Sequence, residues 1–468
     1  MKSRIKINSL EGANSITKED VLIPENIRKE SDKVKEKKEV KKRSLEDPTL
    51  FINRELSWLD LNERILEEAY DPSHPLLERI KFLAICGGNI DEFFMVRVSA
   101  LKRQILKGAL KAPPDRMTPS EQLTAIRTKV KPLIKKYSKV WNEVLIPELK
   151  KQDILISKIK DLEIEEQQGI RKYFKKNIYP TLTPLAMDFA HPFPFISNLS
   201  LNLAVTIKDA IKGEKFARIK VPVRLFSRFM DLSTMKLKKK SASHKGKTRT
   251  YVLLEDIISS NIDLLFPGLE VTGSYPFRVT RNAEYEIQMY KASDLLTAVE
   301  EGVESRRIGF PSRLQVDEGM PEEIKNILVK NLELTNDNVY RYDGPLGLID
   351  LWQLLQIDRP DLKDEPFLAC TPHTLAQESN IFEALEGRDW VVYYPYDSFE
   401  IMVNLLKQAA EDPDVLAIKT TMYRIDKRSP IIDSLMHARE NGKAVSVLVE
   451  LKAKFDSRGE DQDTQFKL

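Results

Sequence analysis

The pattern of apolar and polar positions is most regular near the carboxyl end of the chain. Short apolar runs at residues 390–394, 415–422 and 444–451 predict three buried strands. Between them, residues 398–410 and 431–439 carry apolar side chains at helical spacing and end at Asp-Pro and Asn-Gly pairs. Strands alternating with helices over short connections are typical of a parallel sheet, which binds ligands beyond the carboxyl ends of its strands.

Basic side chains follow two of these predicted strands. Arg424 lies two residues beyond the second strand, and Lys452 and Lys454 come just after the third. Because the carboxyl ends of parallel strands meet at one sheet edge, these cations favour an anionic ligand, and phosphate is the obvious candidate.

The first third of the chain has helical periodicity instead. Residues 48–150 predict an all-helical region, with Ser57 and Asp60 as the start of one helix. An apolar stripe then follows on that helix: Trp58, Leu61, Ile65 and Ala69. Another helix is expected from residue 76 to residue 85, and further helix between residues 118 and 149.

Two glycines, Gly87 and Gly88, are expected to end the helix that begins at residue 76. The next residue, Asn89, stands three positions before Glu92, a spacing typical of a helix N-cap. The pattern alone therefore favours a capping role for Asn89.

Residues 151–370 combine segments of helical spacing with short apolar runs typical of strands, and they predict an α+β region. Strands are expected at 201–207, 217–223, 251–254, 277–280 and 313–316. Helices are expected at 163–174, 293–304 and 321–330. We therefore expect four parts: a charged, disordered tail at 1–47, a helical domain at 48–150, an α+β domain at 151–370 and an α/β domain at 371–468.

Composition is that of a globular protein, with 42% hydrophobic and 31% charged residues among 468. The net charge of +3 arises in residues 1–47, which hold 13 basic and 10 acidic groups, so the remainder carries 61 of each. A neutral folded part weighs against a general nucleic-acid binder. The two cysteines, Cys86 and Cys370, are far apart, which fits two buried thiols in a reducing compartment rather than a metal site.

Two further features allow more than one interpretation. The segment from Lys236 to Arg249 has seven Lys and Arg and no acidic residue, as in a mobile hairpin insertion or a patch that binds an anionic polymer. His191, between Ala190 and Pro192, fits a packed loop histidine better than a ligand.

Four stretches, in order, resemble the long-chain, ATP-dependent polyphosphate kinase family. They begin at residues 51, 82, 415 and 445 and read FINRELSWLDLNER, FLAICGGNIDEFF, VLAIKTTMYR and VSVLVELKAKFD. The resemblance covers roughly residues 50–456. It implies reversible transfer of the terminal phosphate of ATP to inorganic polyphosphate, with Mg²⁺, through a phosphohistidine in a phospholipase-D-like parallel α/β fold.

The resemblance also implies roles for individual residues. Asn89 matches the family's nucleotide-contacting asparagine, and its acidic neighbours favour contact with the base or sugar end of ATP. Arg424 matches an arginine linked to the phosphate and Mg²⁺ site, where its pattern alone would suggest a surface ion pair. Lys454 stands where the family usually has arginine, so the charge is kept but the bidentate fork is lost. Such cations bind phosphate oxygens and are not direct metal ligands.

The family's nucleophile belongs to a His-x-Lys motif. The five histidines are followed two positions later by Leu76, Phe193, Gly246, Leu375 and Arg439. None fits, so no catalytic residue is assigned, and His437 does not match the nucleophile's place. We expect the chain to be truncated at its carboxyl end, with its phospholipase-D-like domain incomplete, and inactive alone. The alternative is an inactive fragment that only binds nucleotide or another subunit.

The partners implied by the resemblance are ATP and ADP, inorganic polyphosphate and further copies of the chain, without nucleic acid. No run of the sequence is long enough to cross a membrane and no export signal is evident. A cytoplasmic location is expected, with peripheral association at the inner membrane face as the alternative.

Overall fold

The computed structural model describes residues 44–108, 113–187, 193–209, 213–235, 248–282, 309–372, 380–423 and 429–449. The chain divides into two units, Met1–Phe51 and Ile52–Leu468. In the described part of the first unit, Asp47 caps a 3₁₀ turn at Pro48–Leu50 by accepting from the Thr49 N–H. Several predicted features lie outside the described residues: nearly all of the 1–47 tail, residues 236–247 of the basic segment, His191 and the helix at 293–304.

The prediction of a helical region up to residue 150 is confirmed. Its helices are α1 (Arg54–Tyr70), α2 (Leu76–Phe93), α3 (Ser99–Leu106), α4 (Pro119–Lys139) and α5 (Ile146–Lys151). Two π-helical turns, Phe94–Val98 and Val140–Leu145, join α2 to α3 and α4 to α5. Thr118 and Glu121 form the capping box that begins α4.

The predicted start of α1 is wrong. Asn53, not Ser57, is the N-cap, and its side chain accepts from the Glu55 and Leu56 N–H groups. The predicted stripe is also only partly right, because Leu61 is 54% exposed while Leu59, Asn62 and Leu66 are buried. The error arises because polar Asn62 occupies the core-facing side, which shifted the apparent apolar face.

The predicted break at Gly87 and Gly88 is wrong as well, since α2 runs through both glycines to Phe93. Asn89 therefore lies inside a helix and caps nothing. The glycines serve close packing instead: a Cβ on Gly87 would lie 2.6 Å from the Cβ of Leu348, and one on Gly88 would lie 2.8 Å from Ile349 Cδ1. They make room for a 3₁₀ helix, Leu348–Gln356, which crosses α2 at this point.

The middle region contains two sheets. In chain order its strands are β1 (Ile154–Ile156), β2 (Leu185–Met187), β3 (Leu201–Asp209), β4 (Gly213–Lys220), β5 (Phe229–Asp231), β6 (Arg249–Leu253), β7 (Glu270–Arg281), β8 (Pro311–Asp317) and β9 (Val339–Tyr342). One sheet has the order β2-β4-β3-β7-β8-β9 and the other β1-β6-β5. The helices are α6 (Ile164–Tyr173), α7 (Leu254–Ser260) and α8 (Glu322–Asn331), and α8 connects the parallel pair β8 and β9. The five strands and two helices predicted among these residues are confirmed.

One hydrophobic core runs from the helical region into the middle region. It includes Leu59 and Leu77 from the helices, Val205 from β3 and Leu351 from the 3₁₀ helix. A smaller cluster joins the sheet to α8 through Phe277, Val316 and Leu328. The side chains near Asn89 are therefore held by both regions together.

The last described residues form a parallel unit, as predicted. Its elements are α9 (Ile381–Gly387), α10 (Glu400–Glu411), β10 (Ala417–Met422), α11 (Pro430–Glu440) and β11 (Ala444–Val449). The two strands pair in parallel over their whole length. They pack with the helices around a small core of their own.

The strand predicted at residues 390–394 does not form. Val391 is 91% exposed, and no strand among the described residues pairs with this segment. Local bonds replace a sheet ladder: the Trp390 indole N–H donates to the Ala384 carbonyl, and the Tyr393 N–H donates to Asp397. An apolar run without a strand partner stays irregular because its backbone groups bond locally or to water.

The prediction of two buried thiols is half right. Cys86 is buried, and burial raises its pKa to about 12, but Cys370 is exposed. Cys370 belongs to an irregular segment outside the core, where its backbone N–H donates to the Tyr396 carbonyl.

No helix in the described ranges is long and apolar enough to cross a bilayer.

Candidate functional site

Asn89 is held by a second asparagine in the neighbouring helix. Asn62 of α1 is almost fully buried, and its Oδ1 accepts from Asn89 Nδ2 at 3.1 Å. The Asn62 Nδ2 donates to the Tyr137 hydroxyl at 2.6 Å and to the Cys86 carbonyl at 3.5 Å. Because a carbonyl can only accept, this arrangement fixes the orientation of the Asn62 amide and hence of Asn89.

The bond to Asn62 determines what Asn89 can offer a ligand. It uses an Nδ2 donor, while the described contacts leave Asn89 Oδ1 as an acceptor on a half-buried side chain. An amide oxygen suits the hydroxyls of a sugar or the amino group of a base, and it repels phosphate oxygens. The expectation that Asn89 meets the base or sugar end of a nucleotide stays a prediction, and this oxygen is the group that it would use.

Asp91, two residues further along α2, is buried between two arginines from the large sheet. Its Oδ2 accepts from Arg278 Nη2 at 2.6 Å, and its Oδ1 accepts from Arg278 Nη1 at 2.8 Å and from Arg313 Nη2. Burial by itself would raise the pKa of Asp91, but the charges of Arg278 and Arg313 outweigh burial and hold the pKa below its usual range. The carboxylate is thus charged and neutralised from within the fold.

The two guanidinium groups are themselves anchored. Arg278 also donates to Gln315 Oε1 at 2.8 Å and to the Leu199 carbonyl at 3.0 Å. Arg313 donates to Thr280 Oγ1 at 2.9 Å and lies over the Phe94 ring at 4.5 Å from its centroid. Asp91 thereby joins the second half of α2 to β7 and β8, which fixes the helix segment that carries Asn89.

The chain beside Gly87 and Gly88 is fixed by another buried arginine. Arg228 donates to both Glu255 oxygens, to the carbonyls of Leu346 and Gly347, and to Asp350 at 2.9 Å. Gly347 itself has φ +63°, where glycine carries no steric penalty. Since Leu348 and Ile349 follow directly, Arg228 sets the surface against which α2 packs.

The other sequence-predicted site residues, Arg424, Lys452 and Lys454, lie outside the described residues. That these three cations meet at one sheet edge therefore stays a prediction. What precedes them is described: Met422 at the end of β10 is paired with Val449 at the end of β11, so both strands end at the same sheet edge.

His437 lies on α11, as predicted. Its Nε2 is 3.3 Å from Asn441 Nδ2, and its Nδ1 is 3.8 Å from Glu440 Oε2. The side chain is half exposed, and these contacts are ordinary ones for the end of a helix. They give His437 no arrangement expected of a phosphoryl carrier, which needs cations around the transferring group.

Sequence reasoning missed the residues that position Asn89. Asn62 could have been found, because it stands at the core-facing spacing between Leu59 and Leu66, where a polar side chain must have a partner. Arg278 and Arg313 gave no such signal, because the local strand pattern does not show which distant segment packs against them. Their pairing with Asp91 depends on chain segments nearly 190 and more than 220 positions apart.

Family models match three consecutive parts of the chain. The polyphosphate kinase N-terminal domain matches residues 51–157, the middle domain matches 165–354 and C-terminal domain 1 matches 380–462. Asn89 and Asp91 fall within the first of these parts, and Arg278 and Arg313 within the second.

Curated relatives and a solved structure agree with these models. The chain is 44% identical to polyphosphate kinase 1 of Chlorobaculum tepidum, over 88% of this chain and 59% of the relative. It is 42% identical to polyphosphate kinase of Mycobacterium tuberculosis strain H37Ra, over 87% and 56%. The crystal structure of polyphosphate kinase from Porphyromonas gingivalis superimposes with a TM-score of 0.72 at 29% identity, over 87% of this chain and 57% of that one.

The chain thus spans somewhat under six tenths of the length of the curated relatives it matches. Within that span the three family models follow one another in order and leave few residues between them unmatched. The structural match likewise covers 87% of this chain. The chain therefore belongs to the polyphosphate kinase family.

Proposed function

We propose that this chain contributes the nucleotide-binding asparagine and part of the phosphate-binding surface of an ATP:polyphosphate phosphotransferase. The reaction moves the terminal phosphate of ATP to inorganic polyphosphate and back, through a phosphohistidine. Family membership supports the reaction class. The observation that carries the proposal is the bond from Asn89 Nδ2 to Asn62, which leaves an acceptor for the base or sugar of ATP.

The phosphohistidine is assigned to none of the five histidines in this sequence, since none stands in His-x-Lys. Arg424 and Lys454 are proposed to bind phosphate oxygens beyond β10 and β11. A guanidinium can bind two phosphate oxygens at once, whereas the lysine at 454 acts as a point charge. The same proposal includes the division of the chain at residues 47, 150 and 370. It also includes the phospholipase-D-like character of the last part and a homo-oligomeric state. A cytoplasmic location, which two unpaired cysteines support, belongs to it as well.

Magnesium belongs to the proposed reaction, but the described residues around Asn89 do not fit a magnesium site. Both Asp91 oxygens already accept from guanidinium groups. Elsewhere in the described ranges, Glu68, Asp71 and His74 bring ligand atoms within 4.8 Å of one another. His74 Nε2, however, lies 2.7 Å from Glu68 Oε2 at the end of α1.

Calorimetric titration of the 468-residue chain with ATP, ADP and AMP tests the proposal. Asn89→Ala should weaken all three about equally, by roughly tenfold, because the lost contact is to the part they share. Asn331→Ala is the matched control: this exposed asparagine of α8 donates only within its own helix, to Ile327. Unchanged ATP affinity in Asn89→Ala, or a loss confined to ATP, would overturn the assignment.

A further inference from the structure

A cavity of about 610 Å³ lies between α4 and the edge of the large sheet. Its volume is in the range of ligand pockets. One wall is the face of α4 and the π-helical turn that follows it, with Lys131, Lys135, Ser138 and Lys139. The other wall carries Lys325 of α8 and Arg341 of β9. We call it the lysine-lined pocket.

The walls are bonded together, so the pocket is part of the fold. The Asp343 N–H donates to Ser138 Oγ at 3.2 Å, and Asn142 Nδ2 donates to the Asp343 carbonyl at 3.0 Å. Arg341 is fixed by bonds to the carbonyls of Glu318 and Met320 at 2.8 and 2.9 Å. An opening formed by cross-linked elements keeps its shape without a ligand.

The positive charge in the pocket is unevenly placed. Glu322 pairs with both Lys325 and Arg341, and these two cations hold the pKa of Glu322 below its usual range. Lys139 lies 3.8 Å from Glu143. Lys131 and Lys135 are exposed and have no ion pair among the described residues. Five cations and three acids line the pocket, the acids being Glu143, Glu318 and Asp343.

The spacing of the lysines indicates the shape of the anion. Lys131, Lys135 and Lys139 follow one another at four-residue intervals, so they lie on one side of α4 about 6 Å apart along its axis. A row of cations spanning about 12 Å suits a linear anion with charge repeated along its length better than a single phosphate. Glu143 lies beside Lys139, and the Asp343 backbone bonds to Ser138 and Asn142, so both acids belong to the Lys139 end of the row. The Lys131 and Lys135 end is therefore the more positive one.

We propose that the lysine-lined pocket binds a segment of linear polyphosphate, apart from the nucleotide contact at Asn89. The identity of the anion rests on the proposed function, whereas the preference for a linear anion rests on the lysine spacing. Polyphosphate held there would be retained by the positive charges of Lys131 and Lys135.

The test is calorimetric titration of the 468-residue chain with medium-chain polyphosphate, orthophosphate and ATP. Lys131→Glu/Lys135→Glu should raise the Kd for polyphosphate at least about tenfold and leave the Kd for ATP unchanged. Lys131→Gln/Lys135→Gln should give a smaller rise. Lys175→Glu/Lys176→Glu, a matched charge reversal at exposed lysines outside the pocket, should leave both unchanged.

Each other outcome overturns the inference in a distinguishable way. Equal polyphosphate binding by the wild type and the Lys131→Glu/Lys135→Glu variant would place the polymer elsewhere. Orthophosphate binding with the same sensitivity to the variant would indicate a site for a single anion. A wild-type chain that binds ATP but no polyphosphate would remove the pocket assignment and leave the nucleotide site. Failure to bind either ligand would count against the proposed function as well.

Discussion

Asn62 Oδ1 accepts the hydrogen bond from Asn89 Nδ2 at 3.1 Å, so a buried asparagine determines which face of the site asparagine is available. The same Asn62 donates to the Tyr137 hydroxyl at 2.6 Å and bonds to the backbone of α2 at Cys86. Asn62 of α1, which is fixed in the helical core, thus fixes the position of the Asn89 side chain in α2.

Asn62→Ala should therefore weaken ATP binding, although in this proposal Asn62 itself does not contact the nucleotide. Its loss frees Asn89 to rotate and leaves the Tyr137 hydroxyl unpaired, at a cost of about 1–3 kcal/mol of unfolding free energy. The double variant with Asn89→Ala should bind ATP no worse than Asn89→Ala alone. Calorimetry and urea unfolding measure the two effects. Additive losses in affinity would contradict the positioning role.

Asp91→Asn should cost about 3–5 kcal/mol of unfolding free energy, because it leaves Arg278 and Arg313 buried without their counter-charge. Asp60→Asn, which breaks an exposed pair with Lys129, should cost no more than about 1 kcal/mol. Urea unfolding at neutral pH compares them. Similar small losses of unfolding free energy in both variants would show that the buried ion pairs of Asp91 do not stabilise the fold as proposed.

The pH dependence of that pair has a definite sign. The pKa of Asp91 is lower in the folded state than in the unfolded state, where it is about 3.9. The contribution of Asp91 to the unfolding free energy is therefore complete above the unfolded-state pKa, and it is lost as pH falls through the folded-state pKa. The stability gap between the wild type and Asp91→Asn should therefore narrow only at strongly acidic pH. Narrowing already between pH 7 and pH 5 would show that Asp91 is not held charged as described.

Gly87→Ala should destabilise the fold by about 1–3 kcal/mol, because the added methyl would overlap Leu348 unless α2 or the 3₁₀ helix moved. Gly387→Ala, at the end of α9 with nothing within 4 Å of the added Cβ, is the control and should be neutral or slightly stabilising. The melting temperatures of both variants show whether Gly87 serves close packing against Leu348 or merely weakens the helix. A stabilised Gly87→Ala would mean that these glycines do not serve close approach.

Lys102 of α3 should make stability rise with pH. Burial, and then the charge of Arg127, lower its pKa from 10.5 to about 8, while its Nζ donates to the Ser312 carbonyl at 3.1 Å. Between those two pH values the unfolded chain keeps a proton that the folded chain has released, so the unfolding free energy rises with pH. From pH 7 to pH 10 the wild type should gain up to about 3 kcal/mol relative to Lys102→Met.

Urea unfolding at the two pH values measures this gain, and Lys160→Met, at an exposed position, should show none. Equal pH dependence in the wild type and Lys102→Met would mean that Lys102 titrates as an ordinary surface lysine.

The helices and strands were predictable where local pattern decides them. Residues 201–207 and 431–439 have the right period and flanking turns, and both elements form. Gly87 and Gly88 misled the prediction because the close approach of Leu348 comes from a distant segment. Residues 390–394 are apolar enough for a strand, yet an apolar run needs a paired neighbour. The candidate site divides likewise: family motifs indicate Asn89, while Asn62, Arg278 and Arg313 position its helix through contacts between segments far apart in the sequence.

We propose that this chain binds ATP but does not carry the phosphoryl group on any of its five histidines. Incubating the 468-residue chain with γ-labelled ATP, Mg²⁺ and a polyphosphate primer tests it directly. The expected result is bound ATP, with neither acid-labile label on the protein nor labelled polymer. Acid-labile label on the protein, with His437 the first residue to map and replace by Gln, or labelled polymer would contradict it.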